Sequence, residues 1–441
     1  MKFRILAITA LCAAGLQGQI TNYLGPAILT RGDAGIGTRG GNEDINIRPY
    51  FNVTSFYNTG LLLPVTDPNG AIASVGNQYG IQVGFGAYGR HNFRRSVLSL
   101  DYNGRYRHYS RYNYYNGTNQ FLALGYTMQA SRRVVLAFRQ TAGIMNTANS
   151  FLLSSRVATL NNNVVDQTTQ LFDNRSIYSQ TAANVTYLLS PRTSITAGGS
   201  GYLVRRHSAA LVGMNGWTAT GSIDHRLSPI TTVGMNYTYS HIDYPKAFGQ
   251  SNISGYALNF SHELTRNWIF SLQAGIYQIE AEGLRRIQPN NAVQNLFGNR
   301  PTVQSYYRNT STPRGSIGLT RQFRQSSFNA TYSRGLSNGN GVYLTSRREM
   351  LSFSYSLQGR RKWGATLNAS GIRMQSVGQG LRRYQQLTGG GNINYQITSV
   401  MNLNLGYYER ILNISGGLHR RYETMTFGIS FSPPGIPLSL Y

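Results

Sequence analysis

Cysteine is almost absent from this sequence, since Cys12 is the only one among 441 residues. It lies in an N-terminal segment that we expect to be removed during export. The mature chain would then have no disulfide, no thiolate nucleophile and no cysteine ligand for a metal. The sequence therefore predicts a protein that does not depend on cysteine chemistry.

Charge is also scarce, and most of it has one sign. Charged residues make up 13% of the chain, well below the ~25% typical of soluble domains. The 41 Lys+Arg residues outnumber the 15 Asp+Glu residues, which gives a formal net charge of +26, and only Lys2, Lys246 and Lys362 are lysines. This composition is unlike that of an ordinary soluble enzyme. The 41% hydrophobic and 12% aromatic content also argues against intrinsic disorder.

Long hydrophobic runs are missing after residue 19, so no transmembrane helix is predicted. The one continuous apolar stretch is Ile5–Ala14, which follows the basic residues Lys2 and Arg4. Its length suits a secretory signal peptide and is too short for a membrane-spanning helix, which takes about 20 residues. We therefore predict a signal peptide over residues 1–18 and an exported mature chain.

What the sequence does contain is a strict alternation of apolar and small polar residues. Leu98, Leu100 and Tyr102 share one parity, whereas Ser99 and Asp101 share the other. Successive side chains of a β-strand point to opposite faces, so the alternation predicts strands with one apolar and one polar face. The segments run about 10–15 residues, long enough to cross a membrane. Further examples lie at 120–129, 233–240, 351–358, 392–397 and 402–407.

The connections between these segments alternate between short and long. The longest loops are expected at 146–174 and 281–312. Short turns at one rim and long loops at the other are typical of transmembrane β-barrels. The predicted short links are 91–94, 130–133, 190–192, 228–230, 265–267, 324–325, 359–362 and 398–400.

Those eight hairpins and two flanking strands, at about Tyr50–Asn58 and Tyr422–Phe431, give 18 strands, with 16 as the alternative. The predicted fold is all-β: a single transmembrane antiparallel up-and-down β-barrel over residues 50–431. Both chain ends would then lie at the short-turn rim, as in single-chain outer-membrane barrels.

The last predicted strand carries a second signal. Met425, Phe427, Ile429 and Phe431 alternate with smaller residues, and the segment ends on an aromatic side chain. It resembles the terminal strand of bacterial outer-membrane β-barrel proteins. The resemblance covers residues 50–431 at the level of architecture, without a motif for a specific family. It implies a porin-like protein of the Gram-negative outer membrane and recognition of this strand by the barrel assembly machinery.

Two segments fall outside the predicted barrel. Residues 19–49 are rich in glycine and lack alternation, which favours either a periplasmic linker or a plug within the lumen. Residues 432–441 form a C-terminal tail in which Pro433, Pro434 and Pro437 exclude a ladder strand.

Strand parity assigns a set of charged residues to the inside of the barrel. Cationic side chains that face a water-filled pore favour anions. The alternative is a lumen filled by salt bridges, with Asp101 beside Arg105, although acidic residues are too few to neutralise the arginines. The predicted lumen residues are Arg90, Asp101, Arg105, Arg107, Arg139, Asp224, Arg226 and Arg410.

Arginine doublets form a second basic set. Five of the eight begin at residues 205, 285, 347, 382 and 420, toward the long-loop rim. Guanidinium groups bind phosphate as a planar fork, so contact with lipopolysaccharide is expected there. The alternative is a solvated rim without a ligand.

Neither catalysis nor a cofactor is predicted. The seven histidines show no metal-binding spacing, and no GxSxG motif occurs. Asp224 and His225 are adjacent in a predicted strand, so they point to opposite faces. Nucleic-acid binding is rejected as well, because the aromatic residues share the parity of the lipid-facing Leu and Val.

The sequence therefore predicts a non-enzymatic outer-membrane channel for passive diffusion of small, preferentially anionic solutes. Outer-membrane lipids, lipopolysaccharide and the assembly machinery are the expected partners. Two alternatives remain open: an exporter of an anionic exopolysaccharide, and a plugged structural or adhesive surface barrel.

Overall fold

A computed structural model describes most of the chain after residue 44. The predicted signal peptide, the segment 19–44 and the end of the tail lie outside the described residues. The described residues are 45–59, 65–66, 72–73, 76–111, 116–146, 175–207, 211–287, 302–358, 362–379, 381, 383–414 and 418–433.

Eighteen long strands form one closed antiparallel barrel. They are β1 (Ile45–Asn58), β4 (Gln78–Asn92), β5 (Ser96–Tyr109), β6 (Gly117–Gln129), β7 (Val134–Asn146), β8 (Arg175–Leu188), β9 (Thr193–Arg206), β10 (Met214–Ser228), β11 (Thr231–Tyr244), β12 (Gly249–Thr265), β13 (Trp268–Ile287), β14 (Thr302–Gln322), β15 (Ser326–Ser337), β16 (Ser346–Gln358), β17 (Trp363–Ser376), β18 (Tyr384–Gln396), β19 (Met401–Ile414) and β20 (Leu418–Phe431). Two short strands, β2 (Val65–Thr66) and β3 (Ile72–Ala73), form a small hairpin between β1 and β4.

Each barrel strand pairs with its neighbour in the chain, and the first strand closes the ring. Phe51 of β1 pairs with Phe85 of β4 on one side and with Phe431 of β20 on the other. Every barrel strand therefore has a paired neighbour on both sides, as a strand-built membrane protein needs. The predicted all-β barrel of 18 strands is confirmed over the 16-strand alternative.

Helices contribute little to the described part of the chain. A short 3-10 helix, Pro245–Ala247, joins β11 to β12. None of the helices in the described residues is long and apolar enough to cross a membrane.

Link lengths alternate around the barrel as predicted. The short links are 93–95, 130–133, 189–192, 229–230, 266–267, 323–325, 359–362 and 397–400. In several of these turns a side chain bonds to the backbone. The Ser131 hydroxyl accepts the backbone N–H groups of Arg133 and Val134 at 3.1 Å, and Ser190 and Thr398 act in the same way in their own turns. Such local bonds stabilise a tight reversal.

The expected loop at 281–312 is wrong in its extent. The structure continues β13 to Ile287 and begins β14 at Thr302, and Glu282 pairs with Tyr307 in the extra ladder. Beyond the lipid the outer face becomes polar, as at Glu280 and Glu282, so the hydrophobic alternation fades while backbone pairing persists. For the same reason β1 begins at Ile45 and β20 at Leu418, both earlier than predicted.

The two faces of the barrel differ in chemistry. Large apolar side chains such as Phe85, Leu258 and Leu351 point outward and are exposed. Residues paired across strands lie on the same face. The outward apolar side chains of neighbouring strands therefore lie side by side and form an apolar belt around the barrel. The outer face therefore contacts membrane lipid, and the intervening residues line the lumen.

Candidate functional site

All eight predicted lumen residues lie on the inner face. Arg105 and Arg107 flank Tyr106, which is exposed on the outer face, and Arg139 follows the exposed Phe138. Asp224 is buried between Ile223, which points outward, and His225. The others are Arg90 on β4, Asp101 on β5, Arg226 on β10 and Arg410 on β19.

These residues occupy different heights in the lumen. Arg105 pairs with Asn119 near the long-loop end of β6, whereas Arg139 pairs with Gly125 nearer the short-turn end. Arg139 lies within electrostatic range of Asp101. The arginines of β5 and β7 therefore do not converge at one level, and Asp101 lies near Arg139 rather than beside Arg105.

Arg105 is held in position by neighbouring polar side chains. Its Nε donates to Asn103 Oδ1 at 3.1 Å, and the Asn103 amide in turn donates to the Tyr50 hydroxyl. The Tyr50 ring occupies space that is free because Gly86 has no side chain, since a Cβ there would lie 2.5 Å from the ring. The guanidinium is thus held by an amide group that is itself bound to a phenol.

Arg107, on the same strand as Arg105, and Arg410 on β19 are also held by neutral side chains. Arg107 Nε donates to Gln82 Oε1 at 2.6 Å, and its guanidinium lies 4.7 Å from the centre of the Phe56 ring. Arg410 donates to Gln386 Oε1 at 2.5 Å and to the Tyr384 hydroxyl at 3.2 Å. Neutral acceptors therefore help to orient both arginines.

Several arginines on the inner face were not predicted from the sequence. Arg314 illustrates why, because it follows Pro313 next to the expected loop, where the alternation was not recognised. It donates to Asn236 Oδ1 at 3.3 Å and lies 5.0 Å from the centre of the Tyr277 ring. By strand register the additional inner arginines are Arg48, Arg206, Arg308, Arg314, Arg348 and Arg420.

Acidic residues are rare on this inner face. Among the described strands the register places only Asp101, Asp224 and, near the short-turn rim, Glu263 inward. Most other acidic side chains of the strands, including Glu349, Glu409 and Glu423, point outward. The described lumen therefore carries a strong excess of positive charge.

An apolar inner wall lies on β6–β13, toward the long-loop rim. It includes Tyr178, Tyr202, Ile242, Ile253 and Ile279, which are buried together with Leu344 and Val377. Those last two residues belong to the connections 338–345 and 377–383. Because Leu344 and Val377 pack against inward-facing side chains of distant strands, both residues lie in the mouth of the barrel.

The connection 338–345, which we name the inner loop, is fastened to the apolar wall. The Tyr244 hydroxyl donates to the main-chain oxygen of Asn338 at 2.9 Å, and Thr345 Oγ1 donates to Ser251 Oγ at 2.7 Å. Asn338 also donates to the Tyr202 hydroxyl at 3.2 Å. The inner loop therefore reaches from β15 across to β9, β11 and β12.

Two glycines allow this path. Gly339 and Gly341 have φ values of 98° and 95°, a left-handed conformation that other residues rarely adopt. A Cβ at Gly341 would also lie 2.9 Å from Arg206 Nε. The inner loop can therefore close tightly against the wall.

The inner loop also approaches the Arg410 side of the mouth. Tyr343 packs with Met374, Tyr384 and Leu412, and its ring centre lies 6.3 Å from that of Tyr384. Burial raises the pKa of Tyr343, so its hydroxyl stays protonated at neutral pH and adds no negative charge to the mouth. The inner loop thus narrows the entrance while one side of it retains arginine.

A catalytic or metal-binding reading gains no support from the described residues. Among them, no group of His, Cys, Asp and Glu could hold a metal ion. His225 lies on the outer face and contacts Thr193 Oγ1 at 2.9 Å, whereas Asp224 points into the lumen. The described part of the chain therefore does not place these two side chains together.

The terminal strand lies within the closed sheet. Met425, Phe427, Ile429 and Phe431 point outward and are exposed, and the strand pairs with both β19 and β1. Its role as an assembly signal stays a prediction.

No protein-family model matches the sequence, and no curated protein matches it significantly. Solved structures similar to the chain include Pseudomonas aeruginosa OpdK with vanillate, at 9% identity and a TM-score of 0.42, over 88% of this chain and 98% of that one. A BenF-like porin from Pseudomonas fluorescens Pf-5 has 8% identity and a TM-score of 0.44, over 88% and 98%. A bacterial polysaccharide outer membrane secretin has 8% identity and a TM-score of 0.34, over 88% and 98%.

Architecture assigns the compartment. An even number of antiparallel strands, short turns at one rim, long loops at the other and an outward apolar belt define bacterial outer-membrane barrels. The protein is a β-barrel of the bacterial outer membrane, as the sequence predicted.

Proposed function

We propose that the protein is a non-enzymatic, porin-like channel for passive diffusion of small, preferentially anionic solutes. The observation that carries this proposal is the excess of arginine over acidic residues on the inner face. Rings of positive side chains in a water-filled pore lower the barrier for anions and raise it for cations. No catalytic group is needed for such transport.

The manner in which the arginines are held supports an electrostatic role. Arg105, Arg107 and Arg410 donate to amide and phenol oxygens, so neighbouring polar side chains fix the positions of these inner-face guanidinium groups. An inner salt-bridge network would instead cancel these charges. A barrel of 18 strands is wide enough to leave an aqueous channel.

The inner loop bears on the size of the solute. It covers the apolar wall at the long-loop end and approaches Tyr384 on the Arg410 side. We infer that solutes enter through the space between the inner loop and the arginine-bearing strands. Such a narrowed entrance favours small solutes over an exopolysaccharide, and a complete block would correspond to the plugged structural barrel.

We also propose roles for the segments outside the barrel and for its last strand. Residues 1–18 act as the signal peptide, residues 19–44 precede the barrel as a linker or plug, and the tail 432–441 follows it. The barrel assembly machinery reads the strand that ends at Phe431.

Planar-bilayer recordings test the function directly. Purified full-length mature chain, reconstituted in a KCl gradient, should open stable channels with a reversal potential shifted toward chloride. Cation selectivity would contradict the charge argument, and the absence of conductance would favour a plugged barrel. Loss of secreted polysaccharide on gene deletion would instead support the exporter.

A further inference from the structure

The structure narrows the expected arginine contacts with lipid. Of the doublets at the long-loop rim, Arg205 and Arg421 point outward, and their partners Arg206 and Arg420 point inward. Arg347 donates to Thr310 Oγ1 at 3.2 Å, and Arg348 lies on the inner face. Arg421 already binds Glu409 at 2.6 Å and Glu423 at 2.9 Å, a group with net negative charge. The doublets alone therefore do not identify an anion site on the outer face.

A different row of residues has the required charge. Arg334 pairs with Glu349, and Glu349 pairs with Arg373, so the three side chains lie side by side on the outer face of β15, β16 and β17. Arg334 Nε lies 3.6 Å and Arg373 Nη1 3.5 Å from the Glu349 carboxylate. The group has a net charge of +1, and both guanidinium groups are about half exposed, at 45% and 53%.

Glu349 orients the two arginines but contacts only part of each guanidinium group. Each guanidinium carries five N–H donors, and one nitrogen of each is directed at Glu349. Because both side chains are about half exposed, their remaining donors can reach a ligand on the outer face. Two such forks match the oxygen atoms of a phosphate group.

An apolar slot adjoins this basic row on its membrane side. The next row of paired residues is Leu351, Gly371 and Leu387. Gly371 leaves a depression between the two leucines, since a Cβ there would meet only Leu387 Cδ1, at 3.9 Å. The following row continues with the small residues Ala369 and Gly389. A basic row above a shallow apolar slot fits an amphiphile with an anionic head and an acyl chain.

We propose that Arg334, Glu349 and Arg373 form a docking site for a phosphate group of an outer-leaflet glycolipid, with one acyl chain in the slot over Gly371. The occupant is a lipopolysaccharide-type lipid, because the row lies at the long-loop end of the apolar belt and faces the membrane rather than the lumen. The inference rests on the outer-membrane orientation in the proposed function and is independent of conduction.

Lipid titration of the purified barrel in detergent tests this site, with native mass spectrometry as the readout. The probes are hexa-acylated diphosphoryl lipid A, its dephosphorylated form and inorganic phosphate. The double variant Arg334→Gln/Arg373→Gln should weaken binding of the diphosphoryl lipid by about tenfold or more, as expected for lost charge-assisted hydrogen bonds. Arg132→Gln/Arg133→Gln, which removes two charges from a short turn, should bind like the unaltered protein.

The slot has its own matched pair of variants. Gly371→Leu should weaken lipid A binding, whereas Gly201→Leu, at an outer-face glycine whose Cβ would meet nothing within 4 Å, should not. Unchanged affinity in the double arginine variant, or an equal loss for dephosphorylated lipid, would overturn the proposal. Full displacement of lipid A by inorganic phosphate would assign the site to the free ion instead. Channel conductance, recorded on the same samples, reports on the proposed function separately.

Discussion

The Tyr244 hydroxyl donates a hydrogen bond to the main-chain oxygen of Asn338 at 2.9 Å, and it also lies 3.1 Å from Thr345 Oγ1. Tyr244 ends β11, whereas Asn338 begins the inner loop that follows β15. One buried phenol thus connects the apolar wall to both ends of the inner loop.

Tyr244→Phe should loosen the inner loop and raise single-channel conductance. The variant removes the hydroxyl that Asn338 and Thr345 share, a loss worth about 1 kcal/mol for a buried hydrogen bond. Single-channel recordings with neutral sugars of increasing size provide the measurement. Tyr237→Phe, on the lipid-facing side of the same strand, serves as the control, and equal conductance in the two variants would contradict a gating contact.

Gly341→Ala should destabilise the inner loop. An alanine at φ 95° is strained by about 1–2 kcal/mol, and its Cβ would contact the Arg206 side chain. Limited proteolysis and urea unfolding would show earlier release of this loop. Gly201→Ala is the matched control, because a Cβ there meets open space. A Gly341→Ala protein as stable as the control would show that the loop can take another path.

Arg107→Gln should reduce anion selectivity. Arg107 is buried and held by the neutral Gln82, so its charge acts on the lumen rather than on a partner. The reversal potential in a KCl gradient should move toward zero, and further in the triple variant with Arg105→Gln and Arg410→Gln. Arg334→Gln removes the same charge from the outer face and should leave the reversal potential unchanged. A shift of the same size in that control would show that the change in selectivity comes from net surface charge and not from the lumen.

Asp101→Asn should have the opposite effect. Asp101 lies within electrostatic range of Arg139, so its removal leaves that guanidinium without its nearby carboxylate. The reversal potential should shift further toward chloride. Asp243→Asn, beside His241 on the outer face, is the control. No difference between these two variants would indicate that Arg139 does not influence permeating ions.

Local patterns were sufficient to predict the barrel wall. Alternation at 97–107 assigns a face to each residue because strand geometry has a period of two. Turns such as 130–133 are encoded by residues that bond within the turn itself, as Ser131 does. The same parity correctly placed Arg105 and Arg107 on the inner face. These features depend on neighbours in the chain, so no tertiary information is needed.

The extent of β13 and β14 could not be obtained in this way. In the extended part of β13 the outer face is polar, as at Glu280 and Glu282, whereas inward residues such as Ile279 are apolar. The apolar-outward alternation that marks the other strands therefore ends, although backbone pairing continues to Ile287 and Thr302. Arg314 was missed for this reason. Backbone pairing in a strand without outward apolar side chains cannot be recognised from the hydrophobic pattern of the sequence.

By itself, then, the sequence determined the strand count, the two rims and the face to which most side chains belong, since each follows from spacing and local turn chemistry. Only the tertiary structure decided what lies at the same height and what meets across the lumen. The fastening of Asn338 to Tyr244, and the position of Arg139 near Asp101, depend on strand register and on contacts between residues far apart in the chain. Those relationships arise when the barrel closes, because only then do distant strands share one lumen.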